Sequence, residues 1–298
     1  MSLPIPDSNG TTFLGNLNTV LSTQASSITS MQSTIATLGT SIPIITGTES
    51  PNDSLLHFEN NYTDSIGNNL WLPNGNYLSF TTSNPKFGTY CLSFGSAGNT
   101  TDWVSRVNNI NLNSLNAYTI EMWVRFDNTS GWQSIFDIYP DNNLGLALSG
   151  SRMQLYAGCP GAWSIANGVN GTYTSYTSNT WYHVALVYSN TYGYKVYING
   201  TLDISVANIA PIGTPSQIRL GGWGGNNSGA PSMIGAMDEF RLTQGVAVYT
   251  SNFTPPTSAF IPFLPSNYPA SPTVGQNVII QNGYILQTYY NSKWNIVL

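Results

Sequence analysis

Charge is what this chain has least of. Only 7% of its 298 residues are charged, where an ordinary soluble domain carries about 25%. Eight Lys plus Arg stand against thirteen Asp plus Glu, for a net charge of −5. No basic patch is available to neutralise phosphates, which argues against nucleic-acid binding. Long apolar runs are also missing: nothing approaches the ~18 continuous apolar residues of a membrane span, so a soluble chain without membrane insertion is expected. The start, MSLPIPDSNG, has neither a basic n-region nor an apolar h-region, and a cleaved secretory signal is not expected. Cysteine occurs twice, at Cys91 and Cys159, with no CxxC and no histidine at ligand spacing. Zinc is therefore not supported, and the two thiols read as small half-buried hydrophobes rather than as a disulfide.

What the chain does have is apolar and aromatic. Hydrophobic residues make up 41% and aromatics 12%, enough to bury a core and to set aside charge-driven disorder. Residues 1–11 form an extended segment expected to anchor the chain in a larger particle. Residues 12–41 place Leu14, Leu21, Ile28 and Ile35 at heptad position a, and Leu17, Gln24, Met31 and Leu38 at d. Four heptads closed by Gly39 and Pro43 predict a short coiled-coil helix. Its other positions are mostly Ser, Thr, Gln and Asn, mediocre helix formers that would not stand alone in water, so self-association is needed. Mixed Leu and Ile at a, with Gln24 at a central d, points to a parallel homotrimer. An amphipathic helix packed on the next domain or on another protein is the alternative.

Residues 50–261 change to short alternating segments rich in Tyr, Val, Ile and Trp, punctuated by Asn, Gly, Ser and Pro. From Tyr118 to Phe126, Ile120, Met122, Val124 and Phe126 share one face, with Glu121, Trp123 and Arg125 on the other. The run WYHVALVY, residues 181–188, is apolar on both sides, as a strand between two packed sheets would be. Asn199-Gly200 signals a type I′ hairpin between Tyr194–Ile198 and Leu202–Val206. Further strands are expected at 135–138, 144–148, 153–156, 217–220 and 237–242. More than ten short strands predict an all-β fold, a two-sheet antiparallel sandwich. Residues 262–298 continue as a Pro-rich bridge and a small three-stranded β unit around Asn282-Gly283.

The ordered phrases LLHFENNYTDSIGN, YCLSF, YTIEMWVRF, WYHVALVY, KVYINGTL, IRLGG and GAMDEFRLTQGVAVYTSNFTPPTSAF resemble a laminin-G-like (concanavalin A-like lectin/glucanase) jelly roll. The closing phrase is similar to the form that this domain takes in phage and other viral structural proteins. The resemblance covers about two-thirds of the chain. It implies binding of glycans or proteins through rim loops or the concave sheet, in some members with calcium, and some relatives are glycosidases. It does not imply one shared function, since the fold hosts many.

A retaining glycosidase of this fold needs two carboxylates about 5.5 Å apart, usually from a Glu-x-Asp-x-x-Glu strand. The four glutamates, Glu49, Glu59, Glu121 and Glu239, do not make that pattern. Glu121 reads as half of an ion pair with Arg125, four along on the same face. His183, with no acidic partner near it in sequence, reads as a core histidine, and His57 as structural. No catalytic residue is assigned.

Neutral sugars are held by aromatic faces and a few placed polar groups, and two loops have that makeup. One contains Tyr139, Asp141 and Asn142; the other contains Trp223, Asn226 and Asn227. Trp223 lies between glycines that cannot shield it, which makes it the leading glycan contact, with Trp163 second. Asp64 and Asp238 resemble positions where some relatives bring first and last strands together, and are the candidates for Ca2+. Both aspartates would, in the alternative, cap turns or accept backbone bonds.

The resulting expectation is a virion structural protein, surface-exposed and extracellular: a trimeric phage fibre or capsid-surface appendage. Its partners would be its own copies, other virion proteins and glycans on a host or environmental surface. The alternatives are an architectural capsid decoration or cement protein that binds no sugar and, after it, a cell-surface adhesin.

Overall fold

The structure is a computed structural model that describes residues 53–261, apart from 68, 96–100, 107–109, 111, 140–142, 160–161, 216 and 224–230, together with the backbone of 277–279, 286–290 and 293–297. At 139, 159 and 162 it describes the backbone alone. The anchor 1–11, the heptad residues from Leu14 to Leu38, and Asp141, Asn142, Asn226 and Asn227 lie outside the described residues.

The sandwich runs in chain order through β1 (Ser54–Leu56), β2 (Trp71–Asn74), β3 (Leu78–Thr81), β4 (Cys91–Phe94), β5 (Trp103–Arg106), β6 (Ala117–Phe126) and β7 (Trp132–Tyr139). It continues through β8 (Leu144–Ser149), β9 (Arg152–Cys159), β10 (Ala162–Asn170), β11 (Trp181–Ser189), β12 (Gly193–Ile198), β13 (Thr201–Val206), β14 (Gln217–Leu220) and β15 (Gly235–Gln244). An eight-stranded sheet has the order β13-β12-β11-β6-β15-β4-β3, with β1 also on β15. A seven-stranded sheet has the order β10-β9-β8-β7-β14-β5-β2. This is the two-sheet antiparallel jelly roll expected from the strand pattern. Asn199 (φ 48°) and Gly200 (φ 77°) make the anticipated hairpin turn, both residues in the left-handed region that a type I′ turn requires. A separate compact unit contains a three-stranded antiparallel sheet of β16 (Asn277–Ile279), β17 (Leu286–Tyr290) and β18 (Lys293–Val297).

Alternation decides the core. Ile120, Met122, Val124 and Phe126 of β6 and Tyr182, Val184, Leu186 and Tyr188 of β11 meet Leu144, Leu146 and Leu148 of β8 and Met153, Leu155 and Ala157 of β9 in one apolar cluster. Each large side chain buried this way contributes ~1.5–3 kcal/mol.

The other face of β11 departs from the sequence expectation. Among the described residues it is not packed on a second sheet; the segment 246–261 crosses it as a strap. Tyr249 lies against Ala185, Val187 and Tyr197, its ring stacked on Phe253 at 3.5 Å. Phe260 packs with Leu55 and Trp123. The strap is fastened by Phe253 N–H donating to the Gly200 carbonyl at 2.9 Å and Leu202 N–H donating to Asn252 Oδ1 at 2.9 Å. An apolar strand face reports that something covers it, without reporting what.

Beneath the strap, Glu121 accepts from Arg241 Nη2 at 2.7 Å and Nε at 2.9 Å, and from Tyr249 Oη at 2.8 Å. His183 Nε2 lies 3.1 Å from the same carboxylate. The expected Glu121–Arg125 pair is thus corrected. Arg125 donates instead to the carbonyls of Ser83 and Asn84, and the cation for Glu121 comes from the neighbouring β15, where Arg241 stands directly opposite it. His183 is a buried core histidine as read from the sequence, but its acidic partner comes from across β6, where His183 sits opposite Trp123.

Cys91 is a buried free thiol on β4. Burial, helped by the Asp238 charge, pushes it up to about 11. Since the thiolate is the reactive species, Cys91 is expected to resist iodoacetamide at pH 8 in the folded protein and to be labelled fully once denatured, as peptide mass mapping would show.

Candidate functional site

The strap covers the eight-stranded sheet, while the outer face of the seven-stranded sheet carries half-buried aromatics. Successive strand residues alternate between faces. Where Met153, Leu155 and Ala157 of β9 point into the core, Gln154 and Tyr156 therefore point out. Registers then define one row across six strands: Tyr156 on β9, Gly145 on β8, Asp137 on β7, Arg219 on β14, Ser105 on β5 and Leu72 on β2.

Trp223, just after β14, folds back onto this row. A Cβ on Gly145 would lie 2.5 Å from the Trp223 ring, so the glycine is the floor on which the indole rests. Around it stand Trp132 at 5.1 Å, Tyr156 at 5.2 Å and Trp163 at 5.6 Å between ring centroids. Tyr156 and Trp163 are themselves 5.3 Å apart. These are the spacings of interacting aromatic pairs, two of them edge-to-face and two tilted. Polar groups border the cluster. Tyr156 Oη donates to Gln154 Oε1 at 2.8 Å, and Gln154 Nε2 donates to Asn170 Oδ1 at 3.0 Å. An apolar platform rimmed by amide and hydroxyl groups can stack on a sugar ring and satisfy its hydroxyls.

The two leading sequence candidates, Trp223 and Trp163, therefore meet in space. The glycines beside Trp223 leave its ring open, and the sheet and three aromatics remote in sequence partly shield it. Tyr139 is the last residue of β7. Asn143 is buried and donates to the Thr214 carbonyl. Trp132, Tyr156 and Gly145 were not anticipated. The outward position of Tyr156 was available from the alternation of RMQLYAG, whereas β10, which carries Trp163, has no clean alternation in AWSIANGVN and two shifts of register against β9.

Gly145→Ala is expected to lift the indole off the sheet. If the platform binds sugar, affinity falls about tenfold, or ~1.4 kcal/mol. The melting temperature should stay within ~4 °C of the parent. Titration calorimetry and thermal unfolding check the two halves.

Asp64 and Asp238 do not build a cation site between them. Asp64 Oδ1 accepts the N–H groups of Leu55, Ile66 and Gly67, and its Oδ2 accepts Asn69 Nδ2. Asp238 Oδ2 accepts the N–H groups of Lys86 and Phe87, and its Oδ1 that of Glu239. Both carboxylates face N–H donors, which is the work of a turn cap. Among the described residues no group of three or more His, Cys, Asp or Glu is placed to hold a metal. His57 Nδ1 lies 2.9 Å from Glu239 Oε1, and Glu239 Oε2 accepts the strap's Phe260 N–H at 2.7 Å, a structural tie.

The strands of the seven-stranded sheet contain one carboxylate, Asp137. Glu59 caps the N–H groups of Thr89 and Tyr90, and Glu121 and Glu239 are spent under the strap. A cavity of about 220 Å³ lies apart from the platform, lined by Thr172, Tyr173, Ile198, Thr201, Leu202 and Asp203. It is smaller than ligand pockets generally are, and Asp203 there holds the Tyr173 N–H at 2.6 Å.

A family model described as the Concanavalin A-like lectin/glucanases superfamily matches residues 97–247. No curated protein matches the chain. Among solved structures, domain 4 of a GH43 extracellular arabinanase from Geobacillus stearothermophilus, in complex with arabinotriose, is similar at 20% identity and TM-score 0.48, over 64% of this chain and 91% of its own. The receptor binding domain of botulinum neurotoxin C/D mosaic serotype is similar at 15% identity and TM-score 0.48, over 64% of this chain and 47% of its own. The binding domain of botulinum neurotoxin DC in complex with SialylT gives 18%, 0.47, 65% and 48%. The chain thus spans about half the length of those neurotoxin domains, and the likeness is one of fold.

Proposed function

The chain belongs to the Concanavalin A-like lectin/glucanases superfamily, and from that premise we propose that its seven-stranded face is a glycan-binding surface on a non-enzymatic, lectin-like head. The observation that carries this is the convergence of Trp132, Tyr156, Trp163 and Trp223, drawn from three strands and a loop, on the outer face of the seven-stranded sheet. A core has no need of indoles on its outer side, and a two-carboxylate hydrolysis has one carboxylate too few in these strands.

The wider setting is the one expected from the sequence: a virion structural protein, displayed outside the particle as a trimeric fibre or capsid-surface appendage on the heptad stalk. Several weak sugar sites on one stalk would gain orders of magnitude in effective affinity. A glycan array probed with the intact chain tests the binding. Spots should appear, and should vanish for the Trp163→Ala/Trp223→Ala double variant. A blank array for the parent would favour the architectural decoration protein, a reading supported by how fully the four rings pack on one another. Antibodies against the head should decorate the exterior of virions in electron micrographs.

A further inference from the structure

Next to the platform stands a second aromatic that the cluster does not use. Trp103 lies on β5, where Val104 points into the core, so Trp103 faces outward with the row described above. Its floor is again a glycine: a Cβ on Gly222 would meet Trp103 Cβ at 2.7 Å and Cε3 at 3.0 Å. The Arg219 guanidinium sits 4.9 Å from the Trp103 ring, bracing it in a cation–π contact, while Arg219 Nε donates to Gln217 at 2.9 Å. Two consecutive positions, Gly222 and Trp223, thus link two indole stations. Trp223 rests on Gly145 of β8 and Trp103 belongs to β5. Strands β8, β7, β14 and β5 are successive neighbours, so three steps of ~4.8 Å separate the stations by ~14 Å, more than any single sugar ring spans. Between them the row presents the half-buried Arg219, with Asp137 buried opposite it, and beyond them Leu72, 46% exposed, extends the apolar floor.

We propose that this face takes an internal stretch of a linear, neutral polysaccharide laid across the strands, with Trp103 as the second station that sets selectivity for chain length. The inference rests on the glycan-binding reading and adds to it the class of ligand and the residue that measures it. A site for a terminal sugar needs one aromatic station. Two stations on glycine floors with an arginine between them fit a chain whose rings stack in turn. Neutrality follows from the row's charges, one arginine beside one aspartate, which offer no net field for an anionic glycan.

The test is calorimetric titration of the intact protein with cello-, xylo- and manno-oligosaccharides of one to six units. In at least one series affinity should rise tenfold or more between two and five units. Trp103→Ala should flatten that rise to the disaccharide level without changing disaccharide affinity, Trp103→Phe should restore part of it, and Trp223→Ala should lower affinity about thirtyfold at every length. Affinity independent of length, or a Trp103→Ala loss equal for short and long chains, would overturn the proposal and leave the glycan-binding reading standing. So would array binding confined to branched or terminal acidic glycans. If neither the array nor any oligosaccharide series binds, both fall together.

Discussion

Replacing Trp223 with alanine is expected to cost ~2 kcal/mol or more of glycan affinity, about thirtyfold, because large aromatics at the centre of a contact dominate its energy. The effect on folding should be small by comparison. Trp223 is half-buried and lies outside the apolar core between the sheets, so its removal exposes the Gly145 floor and edges of Trp132, Tyr156 and Trp163 without opening an internal cavity. A loss of ~1 kcal/mol of stability would lower the melting temperature by ~2–4 °C for a domain of this size. Titration against the best array ligand, with a thermal melt on the same sample, separates the two. Unchanged affinity with an unchanged melt would remove Trp223 from the site. A collapse of the melt would make the cluster an element of the fold instead.

The sandwich was legible because its strands alternate: β6, β8, β11 and β14 sit where the pattern placed them, and Asn199-Gly200 could hardly be anything but a hairpin. What composition could not report was which face each covering element occupies. The double apolarity of WYHVALVY was correctly sensed as burial on both sides, but the cover is the strap around Tyr249, Phe253 and Phe260, an irregular segment without strand periodicity. The site was legible in part for a similar reason. Trp223 and Trp163 stood out by their glycine-rich surroundings, yet their partners Trp132 and Tyr156 are ordinary strand residues until registers bring β7, β9 and β10 side by side. Glu121 shows the same blindness to pairing. Sequence spacing offered Arg125 on its own strand, while the cross-strand register delivers Arg241, and cross-strand neighbours are the closer ones in a sheet.

Glu121→Gln is expected to be the most damaging single change in the head. The carboxylate is fully buried with Arg241, His183 and Tyr249 around it. Breaking such a group by neutralising one member leaves Arg241 as a buried, uncompensated cation, at a cost of ~3–5 kcal/mol. That corresponds to a melting temperature lower by roughly 10 °C. The pH dependence identifies the cause. Burial alone would push the Glu121 carboxyl up, but Arg241, then the hydrogen bond from His183 and that from Tyr249, outweigh it and hold the group at about 2, below its ordinary 4.5. A carboxyl held lower in the folded state than in the unfolded one stabilises the fold above the unfolded value and loses that contribution as pH falls through the folded one. Parent and variant should therefore differ most above pH 4.5 and converge as pH approaches 2. Other groups act in the same range, notably Asp238, whose carboxyl burial pushes up to about 7, but they are common to both proteins and cancel in the difference. Denaturant titrations of both chains between pH 2 and 7 give that difference directly. A gap that stayed constant down to pH 2 would mean that Glu121 supports the strap through its shape and hydrogen bonds rather than through its charge.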